Sequence, residues 1–154
     1  MLEVKGDFSK IIQNFDAIVS LNNKTVLRNG KLSMSGGLAR WFKDTFQYID
    51  QIWGQEILAS NANVIFTEWK DSLYNGYLVA FPTKYDVMLD ADIGLVEICL
   101  KELVKEVDKR GIKTVLLGRP GAGLGNLRWT DVKPLCQKYL DDRFTIICYE
   151  YEND

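Results

Sequence analysis

The sequence predicts a three-layer α/β domain, a sheet carrying helices on both faces. Three observations lead there. Short apolar runs alternate along the chain with stretches of helical period, as strands interleaved with helices do. Glycines gather where an apolar run gives way to a helix-like stretch, at 36–37 and 118–125. The 154 residues, 47% hydrophobic and 26% charged, are one domain's worth of chain with enough apolar material for a core.

Each element follows from its residues. Leu2 to Lys5 alternates and stops at Gly6-Asp7, which makes a short strand. Ala17 to Leu21 is apolar enough to lie centrally in a sheet. Over 38–49, Leu38, Trp41, Phe42, Thr45, Phe46 and Ile49 share one face, so an amphipathic helix is expected directly after Gly36-Gly37. Residues 64–69 and 77–81 read as strands, and the Asp, Ser, Asn and Gly of the intervening KDSLYNG join them as a hairpin. The longest helix carries Leu89, Ile93, Val96, Leu100, Leu103 and Val107 at intervals of four and three, and ends at Gly111. A strand over 113–117, a helix over 129–140 and a last strand over 144–149 complete the set. No composition break, repeat or low-complexity tract divides the chain, so 1–154 is read as a single domain.

Composition excludes several chemistries. There is no histidine, which removes Ser–His–Asp and Cys–His catalysis, histidine metal sites and histidine pH switching. The formal charge of −2 is too balanced to predict nucleic-acid or membrane binding by bulk attraction. Cys99, Cys136 and Cys148 sit in apolar stretches without C-x-x-C spacing, so reduced core thiols are expected. MLEVKGDFSK has no apolar signal region and no run is long enough to span a bilayer. The expectation is a soluble, cytoplasmic protein without a cofactor, a metal or a membrane partner, and a monomer.

Six of the 12 glycines fall in two clusters, Gly36 and Gly37, then Gly118, Gly121, Gly123 and Gly125. LLGRPGAGLGNLRW follows a buried strand and precedes a helix, the position that faces ligands in open α/β sheets. Glycine there lets backbone N–H groups approach phosphate oxygens, and a helix start adds a favourable dipole. The spacing is neither a Walker loop nor a first-strand dinucleotide fingerprint, and a tight structural turn explains it equally well alone. MSGGLARWF repeats the arrangement, and two such loops can grip a diphosphate from opposite sides.

With both loops in place the chain resembles the macrodomain family. LEVKGDF looks like that family's opening strand, DAIVSLNN like its D-A-I-V-N-x-x-N, MSGGLA like its M-G-G-G-[VI]-A, GRPGAGLGNLRW like its second phosphate loop and FTIICYE like its closing strand. The resemblance implies a three-layer α/β/α fold with a central mixed sheet and a cleft for ADP-ribose. It implies that Asp7 accepts a hydrogen bond from the adenine amino group, a task suited to an acceptor-only carboxylate. A solvated turn aspartate is the alternative. Asn23 matches the asparagine that contacts the distal ribose, while Ser20 stands where another asparagine is usual. Gly36 and Gly37 would belong to the first phosphate loop, and Gly121, Ala122, Gly123, Leu124 and Gly125 to the second. The insertion KTVLRNGKLS is either a surface hairpin or a source of substrate contacts.

YLVAFPTK resembles a strand end of macrodomains that remove ADP-ribose from thymidine bases in DNA, with a related lysine in the terminal ADP-ribose protein glycohydrolase branch. The implied role of Lys84 is to attack or engage the anomeric carbon of the distal ribose; the alternative is a solvated lysine after a strand. The protein-glycohydrolase branch has an acid where this chain has Gly125, so the DNA-directed branch fits better. The expected function is hydrolysis of an ADP-ribosyl linkage on a nucleobase or protein. ADP-ribose 1″-phosphate hydrolysis and ADP-ribose reading without turnover are the alternatives. The partner is ADP-ribose or an ADP-ribosylated macromolecule, DNA included. Trp41, Trp53, Trp69 and Trp129 invite base stacking, but Trp41 and Trp129 fall on apolar helix faces and read as core.

Overall fold

A computed structural model describes residues 1–149; Glu150, which ends the FTIICYE segment, lies outside them. The strands are β1 (Leu2–Lys5), β2 (Ala17–Asn22), β3 (Ile65–Lys70), β4 (Asn75–Pro82), β5 (Val115–Leu117) and β6 (Phe144–Cys148). The helices are α1 (Gly37–Thr45), α2 (Ile49–Ser60), α3 (Ile93–Arg110) and α4 (Trp129–Tyr139), with two 3-10 turns at Phe8–Lys10 and Ile12–Asn14. The sheet order is β1-β6-β5-β2-β4-β3. Every neighbouring pair is parallel except β3 with β4, so the sheet is mixed as expected.

Two cores sandwich the sheet. Val19, Val79, Phe81, Val115, Leu117 and Phe144 pack on one face against Leu95, Leu100, Leu103 and Val107 of α3 and Val132 and Cys136 of α4. Ile18, Leu78, Ala80 and Leu116 pack on the other against Phe42 of α1 and Ile49 and Trp53 of α2. Alternation along each strand sends successive side chains to opposite cores, which is why continuous apolar runs form the central strands. The hairpin turn is set by Asp71, whose Oδ1 accepts the N–H groups of Leu73 and Tyr74, each at 2.8 Å.

Two helix expectations need correction. The helix read over 38–49 ends at Thr45, and Ile49 opens a second helix that was not anticipated. Tyr48 takes a left-handed φ of 71° at that corner, so the aromatic face reading through Phe46 to Ile49 spans two helices. The stripe beginning at Leu89 starts late as well. Asp92 Oδ1 accepts the Leu95 N–H at 3.0 Å and caps α3 there, which leaves Leu89 exposed in the preceding turn. Gly111, at φ 65°, ends α3 as expected. All three cysteines are free and buried, and burial pushes the thiols of Cys99 and Cys136 up to about 12. Among the described residues, no helix is long and apolar enough to cross a membrane. No group of His, Cys, Asp or Glu among them is placed to hold a metal ion.

Candidate functional site

The topology dictates where a ligand can enter. β2 and β5 are neighbours, yet the chain leaves β2 toward α1 on one face and leaves β5 toward α4 on the other. That divergence opens a crevice at the carboxyl ends of the strands. A cleft of about 1100 Å³ lies there. Its walls come from Gly6 and Phe8 after β1, Leu21 to Asn23 at the end of β2, Ser33 to Ala39, Thr83 and Lys84 after β4, the loop after β5, and Ile147 to Tyr149 at the end of β6. Among the described residues the charged ones in that wall are Lys84, Arg119 and Arg128, the last paired with Asp131 at 3.0 Å.

Both glycine loops are in it. Gly36 is the N-cap of α1, and the first-turn N–H groups of Gly37, Leu38 and Ala39 have no acceptor among the described residues. Across the cleft, the N–H groups of Ala122, Asn126 and Leu127 close turns onto the carbonyls of Arg119, Gly123 and Gly121. Those of Gly123, Leu124 and Gly125, between them, donate to nothing described. The loops approach each other through Leu124, whose Cδ1 lies 3.1 Å from where a Cβ on Gly37 would sit. Gly125 permits a close approach of chain to chain, since a Cβ there would lie 2.6 Å from the Gly121 carbonyl oxygen. Gly123 plays a different part: a Cβ on it meets nothing within 4 Å.

The other residues singled out in the sequence are placed as follows. Lys84 lines the cleft, half-buried, and forms no hydrogen bond or ion pair among the described residues. Asn23 and Ala122 line it too. The Asn23 amide also works for the fold, as Nδ2 donates to the Ser33 carbonyl at 3.1 Å and Oδ1 accepts the Thr25 N–H at 2.9 Å. It pins the inserted segment, which is a small hairpin bridged at Val26 and Leu32. Asp7 is not in the cleft wall, although Gly6 and Phe8 on either side of it are. Its Oδ1 accepts the Ser9 hydroxyl at 2.7 Å and the Ser9 N–H at 3.0 Å. The hydroxyl bond, more than any other contact, holds the Asp7 carboxyl below the usual carboxylate range.

Among the wall residues, Arg119 and Asn22 were not singled out in the sequence, and Trp129 was read as core. Arg119 is 9% exposed and its guanidinium lies 4.9 Å from the Trp129 ring centre. Its position inside GRPG was a signal available beforehand. Trp129 is thus both core and cleft wall, whereas Trp53 is core alone. Asn22 is buried at the end of β2, with Oδ1 accepting the Ser20 hydroxyl at 2.8 Å.

No family model matches the chain. Solved structures do. The chain superposes on Thermosipho africanus DarTG in complex with ADP-ribose with a TM-score of 0.85 at 22% identity, covering 99% of this chain and 42% of that one. The macrodomain of Thermus aquaticus DarG matches with a TM-score of 0.80 at 23% identity over 97% of each chain. The macrodomain of Mycobacterium tuberculosis DarG gives 0.78 at 18% identity, over 95% of this chain and 97% of that one. The fold is that of a macrodomain. Within that fold the likeness runs to the DarG macrodomains, and a curated relative points the same way. A DNA ADP-ribosyl transferase-DNA ADP-ribosyl glycohydrolase fusion protein of Thermosipho africanus (strain H17ap60334) is 34% identical over 70 residues, 46% of this chain and 18% of the relative. That matched stretch covers less than a fifth of the relative's length.

Proposed function

We propose that this cleft binds ADP-ribose and that the protein hydrolyses an ADP-ribosyl linkage, with a nucleobase as the leaving group. The observation that carries the reading is the pair of glycine loops, each presenting to one cleft N–H groups that have no acceptor among the described residues. Fixed backbone donors, a helix start and guanidinium groups together suit a diphosphate. From the end of β1 to the end of β4 is four strand spacings, about 19 Å, which leaves room for a nucleoside at one end and a sugar at the other. The adenine end falls to Asp7 and the sugar end to Asn23 and Lys84. The similar proteins agree with this reading, one being DarTG in complex with ADP-ribose and another a DNA ADP-ribosyl transferase-DNA ADP-ribosyl glycohydrolase fusion protein.

The chemistry follows from the amine of Lys84. Its lone pair forms a bond to the anomeric carbon as the bond from that carbon to the base nitrogen breaks, and the departing base takes up a proton. Opening of the ribose ring gives a Schiff base, which water hydrolyses to release ADP-ribose and restore the amine. Among the described residues no carboxylate lines the cleft, and in this reading the proton for the base comes from water or the substrate. A wall without a carboxylate among the described residues favours a second reading, in which the cleft holds ADP-ribose without turnover. Incubation with an oligonucleotide ADP-ribosylated on a base, an ADP-ribosylated protein and ADP-ribose 1″-phosphate, followed by mass analysis, separates the cases. Free ADP-ribose released from the oligonucleotide is the expected product. No product from any of the three leaves the binding-only reading.

A further inference from the structure

The inserted hairpin, residues 24–33, lies in a basic stretch. From Ala17 to Lys43 there are five cations and no carboxylate, in a chain whose net charge is −2. Lys24 and Arg40 are engaged: Lys24 Nζ donates to the side-chain oxygens of Asn61 and Asn63, and Arg40 faces Asp44. Arg28 and Lys31 are exposed and form no ion pair among the described residues. They sit on a built turn, closed by Gly30 at φ 83°, whose N–H donates to the Leu27 carbonyl at 2.9 Å. The hairpin is seated firmly. Leu32 is buried, its N–H donates to the Asp50 carbonyl at 2.9 Å, and α2 carries Gly54 where any Cβ would meet the Gly30 carbonyl.

The hairpin also abuts the sugar end of the cleft. Thr25 Oγ1 accepts the Val87 N–H at 2.9 Å, which joins it to the segment that carries Lys84. Arg28 is three residues from Thr25, so their Cα atoms are at most about 11 Å apart, and Lys84 is no farther from Val87. Tyr85 follows Lys84 but does not line the cleft. It is 51% exposed and has no hydrogen-bond or ring partner among the described residues. The carboxylates nearby are engaged locally, Asp86 with the Met88 N–H and Asp90 with the Asn126 amide. Unpaired cations beside an exposed aromatic ring suit a single nucleic-acid strand, in which phosphates meet the cations and a base meets the ring. We propose that Arg28 and Lys31 hold backbone phosphates of the strand that carries the ADP-ribosylated base, while Tyr85 stacks on a neighbouring base. This rests on the ADP-ribose reading above, and it makes a strand a better ligand than ADP-ribose alone.

The test is made in a Lys84→Ala background, so that binding is read without turnover. Titration calorimetry compares a single-stranded DNA oligonucleotide ADP-ribosylated on one base with free ADP-ribose, between about 50 and 200 mM salt. The oligonucleotide should bind more tightly, by a margin that shrinks as salt rises. Arg28→Gln with Lys31→Gln should weaken oligonucleotide binding about tenfold at the low salt. It should also flatten the slope of log affinity against log salt by about 1.4, or about 0.7 per phosphate. Tyr85→Ala should weaken the same binding about tenfold with the slope unchanged. Free ADP-ribose affinity should stay within about twofold throughout, which also shows that each variant is folded. An oligonucleotide that binds no more tightly than ADP-ribose, or is unmoved by the hairpin changes, overturns the assignment and leaves the cleft reading standing. Equal losses for both ligands overturn it as well. So does a surplus affinity seen only with an ADP-ribosylated protein and lost in the hairpin variant, which gives the surface to a protein partner. Absence of ADP-ribose binding in this background and in the wild type overturns both readings.

Discussion

A Cβ built on Gly123 meets no atom within 4 Å, and this glycine is not among those with a positive φ. Glycine in such a loop invites a strain argument from sequence, but at this position none applies. Gly123→Val should therefore change stability by no more than about 0.5 kcal/mol, the usual range for a change that disturbs no packing. Its two methyl groups would instead fill the cleft beside the N–H groups of Leu124 and Gly125, which have no acceptor among the described residues. Hydrogen bonds to a charged group contribute about 1.5–3 kcal/mol each, so losing two costs about 3–6 kcal/mol and at least a hundredfold in affinity. Gly121→Val is the contrast. Its φ is 74°, and the new Cβ would lie 2.7 Å from Leu127 Cδ1 and 3.0 Å from Ala91 Cβ. A left-handed backbone costs a branched residue about 1–2 kcal/mol, and overpacking adds about 1–3 kcal/mol. That variant should melt roughly 4–20 °C lower, whatever its ligand. Calorimetry with ADP-ribose and thermal melting of both variants read the two effects apart. Normal affinity in a folded Gly123→Val protein would refute the assignment of this loop to the diphosphate.

Three further outcomes are expected. Lys84→Ala should lower turnover by at least about 10³ while leaving ADP-ribose affinity within about threefold, and Lys84→Arg should be as inactive because guanidinium has no free lone pair to donate; wild-type turnover in either rules out the amine as nucleophile. Burial pushes the thiols of Cys99 and Cys136 up to about 12, so both should resist alkylation at pH 8 in the native protein and react on unfolding; prompt native labelling at either site contradicts this. Asp7 has its carboxyl lowered by the Ser9 hydroxyl, so the stability this bond contributes is present above the ordinary carboxylate range and lost as pH falls through the lowered folded-state value. Carbon-detected titration should find that value moved upward in Ser9→Ala, and Asp7→Ala should erode the preference for ADP over GDP; an unchanged preference returns Asp7 to a turn residue that caps its own 3-10 helix.

The parts of the fold legible in sequence are those in which one period dominates a long stretch. α3 shows its stripe plainly, and the apolar runs of β2 and β4 announce buried strands because both faces of the sheet are covered. α2 was hidden by two features. Gly54 interrupts its pattern, and the helix needs it because any Cβ there would clash with the Gly30 carbonyl of the inserted hairpin. The aromatic run Trp41, Phe42, Phe46 carries the apolar face across the corner at Tyr48 without a polar break. At the site, the glycine loops were legible because their composition is distinctive whatever the packing around them. Asn22 was not, since its buried amide nitrogen, without a partner among the described residues, shows only in three dimensions. Asn23 shows the converse: the resemblance implies a ligand contact for its amide, whereas the structure shows that amide holding the hairpin through Ser33 and Thr25.

The measurement that bears most directly on the cleft is an amide NMR titration of the 17.6 kDa chain with ADP-ribose. The expected result is saturable shifts concentrated at Gly37, Leu38, Ala39, Gly123, Leu124 and Gly125, the loop N–H groups without acceptors among the described residues. AMP and free ribose should produce far smaller changes, because neither spans both loops. Absence of saturable shifts, or shifts confined to the groove between α3 and α4 around Lys101, Lys105 and Tyr139, would contradict the assignment of this cleft to ADP-ribose.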